Sequence, residues 1–205
     1  MIAKETIACI VANDFEDSEL SIPRHQLEEA GFKLEFIGTK PRTTVTGKKR
    51  KTKVLIRKGI DEAEVGDYVG LLIPGGYSPD QLRADQRFVD FVRDFDAAHK
   101  LIAAVCHGPQ LLLTAGLVKG RTLTAWETVQ GDLEKAGATV QDEPVVVDGN
   151  WITSRKPDDL EAFSAKFIEA LGAEDQKVRE SEGKVRESDE KPVERMISEG
   201  SPSHH

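Results

Sequence analysis

The chain has 205 residues, a formal net charge of −8 and two cysteines, Cys9 and Cys106. The acidic balance argues against general nucleic-acid binding, and two cysteines are too few for a disulfide framework, which favours a reducing, cytoplasmic compartment. No apolar run approaches the roughly 18 residues of a membrane span. The first residues lead straight into a predicted strand, so we expect no signal peptide and no membrane partner.

Apolar runs and helical spacings alternate along the chain. Thr6–Ala12 is continuously apolar, which is typical of a strand buried on both faces of a sheet. Asp17–Ala30 has apolar residues at helical spacing and is followed by Gly31, a helix-stop signal. Further strands are predicted at Leu34–Ile37, Val69–Ile73 and Leu101–Val105, helices at Phe88–Ala98 and Gln110–Ala115, and the alternation continues through Leu123–Ala125, Thr128–Ala136, Pro144–Val147, Trp151–Thr153 and Asp158–Leu171. This pattern predicts an α/β fold with a doubly wound parallel sheet between helices, in which ligands bind beyond the carboxyl ends of the strands.

The segment Thr43–Lys58 interrupts this alternation. It looks like a hairpin and carries seven basic residues: Lys48, Lys49, Arg50, Lys51, Lys53, Arg57 and Lys58. Lysines commonly protect an exposed strand edge against pairing with other chains. The acidic balance of the whole chain weakens the alternative, an anion or nucleic-acid patch. We therefore interpret the segment as a solvated strand edge.

Residues 173–205 contain almost no large apolar side chains and include a near repeat, KVRESEG followed by KVRESDE. Such a segment cannot bury enough surface to offset the entropy of ordering. The predicted organisation is one domain over residues 1–172 and a disordered, charged tail over residues 173–205.

Cys106 stands where a strand passes directly into a helix. The predicted strand Leu101–Val105 runs into the sequence CHGP, and Ala104 and Gly108 place small residues two positions before and after the cysteine. This pattern is typical of a nucleophile elbow, a strained turn that lifts a nucleophile above the sheet. The alternative is a buried, inert cysteine, which is our interpretation of Cys9 in mid-strand.

Two features of this position are predicted to stabilise negative charge, one on the thiol and one on a substrate. A helix N-terminus carries partial positive charge, which favours the thiolate. Gly75 and Gly76 follow another strand, in the sequence IPGGYSPD, and let the backbone approach a substrate closely. Backbone N–H groups from this glycine pair and from the turn after Cys106 are therefore predicted to stabilise an oxyanion.

Candidates to assist the thiol are His107 and three acidic residues after the first strand, Glu16, Asp17 and Glu19. These carboxylates also suit the N-terminus of a helix, whereas a carboxyl group that faces a thiolate in a dry pocket can stay protonated and donate to sulfur. A class I glutamine amidotransferase triad is excluded, because it needs a His–x–Glu pair well downstream and no histidine follows His107 before the tail.

Four segments, in this order, resemble the ThiJ/PfpI family, which includes PfpI-type intracellular proteases, glyoxalase III-like enzymes and protein deglycases. They are FEDSELSIP (Phe15–Pro23), LLIPGGYSPDQLR (Leu71–Arg83), AVCHGPQLL (Ala104–Leu112) and VVVDGNWITSRKPDDL (Val145–Leu160). The resemblance spans about residues 5–172. It implies a flavodoxin-like, mostly parallel sheet sandwiched by helices, as in class I glutamine amidotransferases, and an activity that needs no metal or other cofactor.

The resemblance also implies roles for individual residues. Cys106 is the nucleophile and His107 its partner, while Glu19 matches the glutamate that hydrogen-bonds the cysteine and Glu16 matches a second pocket acid. In PfpI-type members the acidic partner of the histidine comes from a neighbouring subunit, at the position held here by Asp80. This arrangement implies a homo-oligomer, either a dimer or a hexamer built from dimers.

Two aromatic residues are candidates for the pocket walls. Trp126 stands where the deglycase branch of the family carries a histidine near the cysteine, so that histidine's role does not transfer to this chain. Tyr77 follows the glycine pair. Ordinary aromatic packing is the alternative interpretation of both residues.

Three functions fit these residues. The first is cysteine-dependent chemistry on small reactive carbonyls or glycated substrates, in which the thiolate adds to methylglyoxal or glyoxal and water releases a hydroxy acid without metal or glutathione. The second is an intracellular cysteine peptidase, and the third is a redox-responsive, chaperone-like stress protein whose Cys106 oxidises to a sulfinate. We favour the first, because Tyr77 and Trp126 would restrict access to small substrates, although the fold and the elbow do not choose between reactions.

Overall fold

The computed structural model describes residues 5–173, and the predicted tail from residue 174 onward lies outside them. The strands are β1 (Thr6–Ile10), β2 (Lys33–Gly38), β3 (Thr44–Thr46), β4 (Lys53–Leu55), β5 (Lys58–Gly59), β6 (Gly70–Ile73), β7 (Leu101–Val105), β8 (Thr122–Leu123), β9 (Thr139–Val140), β10 (Val145–Asp148) and β11 (Trp151–Ser154). The helices are α1 (Asp17–Glu29), α2 (Ser78–Leu82), α3 (Gln86–Ala97), α4 (Pro109–Thr114), α5 (Glu127–Lys135) and α6 (residues 160–173), with short 3₁₀ turns at Ile60–Glu62, Val65–Asp67 and Pro157–Asp159.

Seven strands form the central sheet in the order β10-β11-β7-β6-β1-β2-β5. All neighbouring pairs are parallel except β10–β11, which is antiparallel. The predicted flavodoxin-like, doubly wound and mostly parallel α/β architecture is therefore confirmed. The antiparallel edge arises because a tight turn at Gly149 and Asn150 joins β10 to β11, and a short hairpin can connect only antiparallel neighbours.

Side chains of the central strands alternate between two cores, as the period of two requires. In β1, Ala8 and Ile10 pack with residues of α3, α4 and α5, whereas Ile7 and Cys9 pack on the opposite face with residues of α1 and α6. Both faces are thus buried, which explains the continuous apolar run in the sequence. Cys9 is fully buried in mid-strand, and this burial raises the pKa of its thiol well above the ordinary value.

The sheet has a topological switch point between β1 and β6. From β1 the chain proceeds to β2 on one side, whereas β6 and β7 lie on the other side. Loops that leave adjacent strands in opposite directions open a crevice at their carboxyl ends, which is where doubly wound sheets bind ligands. An isolated antiparallel bridge between Phe15 and Gly76 joins the loops that follow β1 and β6 at this point.

One predicted element differs in detail. The segment Leu123–Ala125, predicted as part of the alternation, contains the end of β8, which pairs with β9 in a separate two-stranded sheet. The hairpin predicted within Thr43–Lys58 is confirmed, since β3 and β4 pair antiparallel in a sheet of their own. Within residues 5–173, no helix is long and apolar enough to cross a membrane.

Candidate active site

Cys106 lies on a strained turn at the carboxyl end of β7. Its φ is 61°, in the left-handed region that side-chain-bearing residues rarely adopt. Its N–H donates to the Ser154 carbonyl at 3.0 Å, and its carbonyl accepts the N–H of Trp126 at 2.9 Å. A Cβ at Gly108 would lie 2.6 Å from the Ile73 carbonyl oxygen, so this turn requires a glycine two residues after the cysteine. These contacts have the geometry of a nucleophile elbow.

His107 and Trp126 flank the thiol. His107 Nδ1 lies 3.3 Å from Cys106 Sγ, and the imidazole stacks on the Trp126 ring with centroids 6.4 Å apart. Burial and the positive charge of Lys48 lower the pKa of His107, against a weaker opposing effect of Asp80. The imidazole is therefore neutral near pH 7 and can accept a proton.

Glu19 is completely buried beside Cys106. Its Oε2 accepts the N–H of Gly75 at 2.8 Å, while Oε1 is buried and has no hydrogen-bond partner among the described residues. Burial raises the pKa of Glu19 to about 7, although the contact with Cys106 and the Gly75 hydrogen bond act in the opposite direction. The unpartnered oxygen is thus the natural site of a proton, which the carboxyl can donate to the thiolate.

The thiol is less acidic than its place before a helix suggested. Burial and the negative charge of Glu19 both raise the pKa of Cys106, and these effects exceed the opposing effects of the His107 and Gly76 N–H groups. While Glu19 is ionised, the helix N-terminus therefore does not determine the pKa of the thiol. Glu19 gains a proton near neutral pH. Cys106 can then ionise beside a neutral carboxyl group, so that the buried pocket holds one negative charge and not two.

The absence of side chains at Gly75 and Gly76 allows the loop after β6 to pack closely against the start of α1 and the turn at Cys106. A Cβ at Gly75 would lie 2.4 Å from Glu19 Oε2 and 2.8 Å from the Cys106 Cβ. Gly76 has a φ of 76°, and a Cβ there would lie 2.4 Å from the Glu16 nitrogen. The Gly76 N–H group lowers the pKa of the Cys106 thiol, as expected of a donor that stabilises negative charge on the sulfur.

We expect Gly75→Ala to lower activity at least about tenfold and to destabilise the fold by about 1–3 kcal/mol, since a methyl group must displace Glu19 or Cys106. The matched control is Gly131→Ala in α5, where a Cβ meets no atom within 4 Å. This control should gain up to about 1 kcal/mol from helix propensity and keep its activity. Thermal unfolding and rate measurements on both variants test the contrast, and equal behaviour of the two would contradict it.

Glu16 and Asp17 bind the turn between β3 and β4, a contact that the sequence interpretation missed. Lys48 Nζ and Lys49 Nζ lie 2.6 and 2.8 Å from the Glu16 carboxylate. Asp17 accepts three backbone N–H groups of the same turn, from Lys49, Lys51 and Thr52. The lysines are solvent-exposed, as expected for a solvated strand edge, but Lys48 and Lys49 also bind a carboxylate at the site. The local sequence carries no signal for a contact between residues 32 positions apart.

Asp80 and Tyr77 lie at the outside of the site. The Asp80 side chain is exposed and binds Arg83 at 2.7 Å within the same chain. Tyr77 is 68% exposed and Trp126 is half-buried, so of the two aromatic candidates Trp126 contacts the candidate catalytic residues. Within residues 5–173, no group of three or more His, Cys, Asp or Glu side chains has the arrangement of a metal site.

Residues 5–170 match the model of the DJ-1/PfpI family. The chain is 45% identical over 168 residues to protein/nucleic acid deglycase 2 of Escherichia coli (strain K12), an alignment that covers 82% of this chain and 98% of that protein. Drosophila melanogaster DJ-1beta superposes with a TM-score of 0.75 at 27% identity, over 82% of this chain and 90% of that structure.

A two-domain protein from Anabaena variabilis with DJ-1/ThiJ/PfpI-like and ferritin-like domains superposes with a TM-score of 0.81 at 36% identity. The match covers 82% of this chain, which spans about half of that structure, 48%. The family model covers most of the chain, and a relative with 45% identity is matched over nearly its whole length. The chain therefore belongs to the DJ-1/PfpI family.

Proposed function

We propose that the protein is a cysteine-dependent enzyme that acts on reactive carbonyls, as a glyoxalase III-like enzyme and deglycase. The observation that carries the proposal is the buried pair of Cys106 and Glu19, in which the carboxyl has a pKa of about 7 and lies beside the thiol. The similarity to a protein/nucleic acid deglycase supports the same substrate class. His107, at 3.3 Å from the sulfur, supplies a neutral base.

The proposed reaction begins with addition of the Cys106 thiolate to the aldehyde carbon of methylglyoxal, which forms a hemithioacetal. His107 or Glu19 removes the proton from this carbon, and a proton is delivered to the neighbouring ketone carbon through an enediol. The first carbon becomes a thioester while the second becomes an alcohol, so the oxidation of one balances the reduction of the other. Water then hydrolyses the thioester and releases lactate and the thiol, and the balance requires neither glutathione nor a redox cofactor.

Deglycase activity follows from the same nucleophile. A hemithioacetal that methylglyoxal forms with a cysteine thiol dissociates reversibly, and Cys106 captures the released aldehyde carbon. The glycated thiol is returned unmodified and lactate leaves as before. In this proposal the Gly76 N–H, which lowers the pKa of the Cys106 thiol, also stabilises negative charge as it develops on the carbonyl oxygen.

The test is product analysis. Purified protein is incubated with methylglyoxal, with its adduct of N-acetylcysteine, and with casein or a fluorogenic peptide, and Cys106→Ala is run in parallel. Lactate from the first two substrates, formed by the wild type alone, is the expected result. Peptide cleavage without lactate would identify a cysteine peptidase instead. Neither product, together with two oxygens added to Cys106 by peroxide, would identify a redox-responsive stress protein.

We also propose that the protein forms a homo-oligomer in which Asp80 of a neighbouring subunit orients His107. The exposure of Asp80 within its own chain supports this proposal, because an exposed carboxylate is available to a second subunit. Light scattering should give at least twice the chain mass of 22.6 kDa. A fully active monomer would remove Asp80 from the site.

A further inference from the structure

The turn of residues 47–52 places two ammonium groups at the candidate active site. Lys48 Nζ lies 2.6 Å from Glu16 Oε2, and Lys49 Nζ lies 2.8 Å from Glu16 Oε1. Among the described residues, Glu16 is the one carboxylate within 4.0 Å of either ammonium. Each ammonium has three N–H donors, so both retain donors for a second anion.

Backbone contacts hold this turn in place. The buried Asp17 carboxylate accepts the N–H groups of Lys49 at 2.8 Å, Lys51 at 3.0 Å and Thr52 at 2.7 Å. The N–H of Lys48 donates to the Phe15 carbonyl at 2.9 Å. The lysines are therefore presented by an anchored turn, which reduces the entropy lost when they bind an anion.

The charged groups near the sulfur are compatible with the binding of an anionic group. The charge of Lys48 acts on Cys106, Glu19 and His107. Facing it are Glu16, which is shared by two lysines, and Glu19, which is protonated as pH falls below about 7. Other negative charges are Asp17, under the turn, the more distant Asp80 and the thiolate itself. Lys48 and Lys49 share the one carboxylate of Glu16, so these three side chains together keep one net positive charge.

We propose that Lys48 and Lys49 form an anion subsite beside Cys106, and that the preferred substrates are carbonyl compounds that carry a carboxylate near the reacting carbonyl group. That the substrate is a carbonyl compound rests on the proposed function. The existence of the anion subsite does not, because the lysines attract any anionic reagent that approaches the thiol. Lys48 is the main specificity residue, since its side chain is the less exposed of the two and lies closer to the buried Glu16 carboxylate.

Two alkylating reagents that differ mainly in charge test the subsite without turnover. Iodoacetate and iodoacetamide each form a carbon–sulfur bond with the Cys106 thiolate and release iodide, so any change in thiol pKa cancels in the ratio of their rates. Lys48→Gln should lower the iodoacetate-to-iodoacetamide ratio about 5- to 10-fold, as expected for one charge lost near a partly solvated site. Lys51→Gln is the matched control in the same turn and should change the ratio less than about twofold. An unchanged ratio in Lys48→Gln and in the Lys48→Gln, Lys49→Gln double variant would overturn the subsite.

Turnover of a second matched pair tests the substrate class. 4,5-Dioxopentanoate is a 2-oxoaldehyde that carries its own carboxylate, whereas its carboxamide is neutral, and both can follow the reaction proposed for methylglyoxal. Lys48→Gln should reduce kcat/KM for the anionic aldehyde about 5- to 10-fold more than for the neutral one. If neither aldehyde is turned over while the alkylation ratio responds, the proposed function fails and the subsite stands. If both aldehydes react and neither ratio responds, the subsite fails and the proposed function stands.

Discussion

Replacement of Cys106 by alanine is expected to reduce lactate formation from methylglyoxal at least about 10³-fold, to the rate of buffer alone. The thioester intermediate forms on the sulfur, and no other described thiol is placed to replace it, because Cys9 is fully buried in β1. Alanine and cysteine meet the same backbone strain at a φ of 61°, so the elbow itself should persist. The measurement is initial rate, with near-ultraviolet circular dichroism as a check on packing.

Cys9→Ala is the matched control for this variant. It removes the other thiol of the chain at a cost of about 1 kcal/mol for a small cavity, and it should retain nearly full activity. Iodoacetamide should label the wild type and Cys9→Ala once each, at Cys106, and should leave folded Cys106→Ala unlabelled. Residual lactate formation by Cys106→Ala above a tenth of the wild-type rate would show that the sulfur is not the nucleophile.

Glu19→Gln should lower the rate about 10²-fold and at the same time stabilise the protein. Glutamine keeps an acceptor for the Gly75 N–H and presents an amide donor where Oε1 now has no partner. It cannot, however, release or take up a proton, and proton transfer by a positioned side chain typically contributes about 10²–10⁴ to a rate. The wild-type inflection near pH 7 in the rate profile, caused by the titration of Glu19, should be lost in the variant.

The gain in stability depends on pH with a definite sign. Burial raises the pKa of Glu19 to about 7 in the folded chain, whereas an unfolded chain has a glutamate pKa of about 4.3. The folded state therefore binds more protons between these values, and the free energy of unfolding decreases as pH rises through this window. The penalty reaches up to about 3 kcal/mol above pH 7, where the fold must hold a buried charge.

Glutamine avoids this penalty. Chemical denaturation should show Glu19→Gln more stable than the wild type by up to about 3 kcal/mol at pH 8, and equal to it near pH 4. Glu28→Gln, an exposed glutamate in the same helix that pairs with Arg24, is a control and should show little change at either pH. A Glu19→Gln variant that is less stable than the wild type at pH 8 would contradict the assignment of a raised pKa.

Much of the fold and of the candidate active site was predictable because the sequence patterns that indicate them are local. The apolar run of β1, the helical spacing of α1 and the stop at Gly31 each act within a few residues. The elbow was recognised from Ala104 and Gly108, and the model shows why the glycine is needed, since a Cβ there would meet the Ile73 carbonyl. Proximity of Glu16 and Glu19 to Cys106 followed from the rule that strand carboxyl ends share one sheet edge.

The sequence did not reveal the long-range electrostatic contacts. The basic segment was interpreted as a solvated edge from its composition, without knowledge of its partners Glu16, just before α1, and Asp17, the first residue of α1. From the sequence, the helix N-terminus was expected to favour the thiolate. Burial and Glu19 outweigh that dipole, and neither effect can be evaluated before the neighbours of the sulfur are placed.

By itself, the sequence determined the α/β class, the parallel arrangement of its buried strands, the tight strand-to-helix turn at Cys106 and the membership of a family, because hydrophobic periodicity and small residues at a tight turn are short-range properties. Only the tertiary structure decided the protonation of Glu19 and the position of Lys48. Both depend on desolvation and on contacts between residues 32 to 56 positions apart, such as Asp17 with Lys49 and Glu19 with Gly75. The buried Glu19 thereby lies at the Cys106 turn, and the turn that carries Lys48 is held on the neighbouring Glu16.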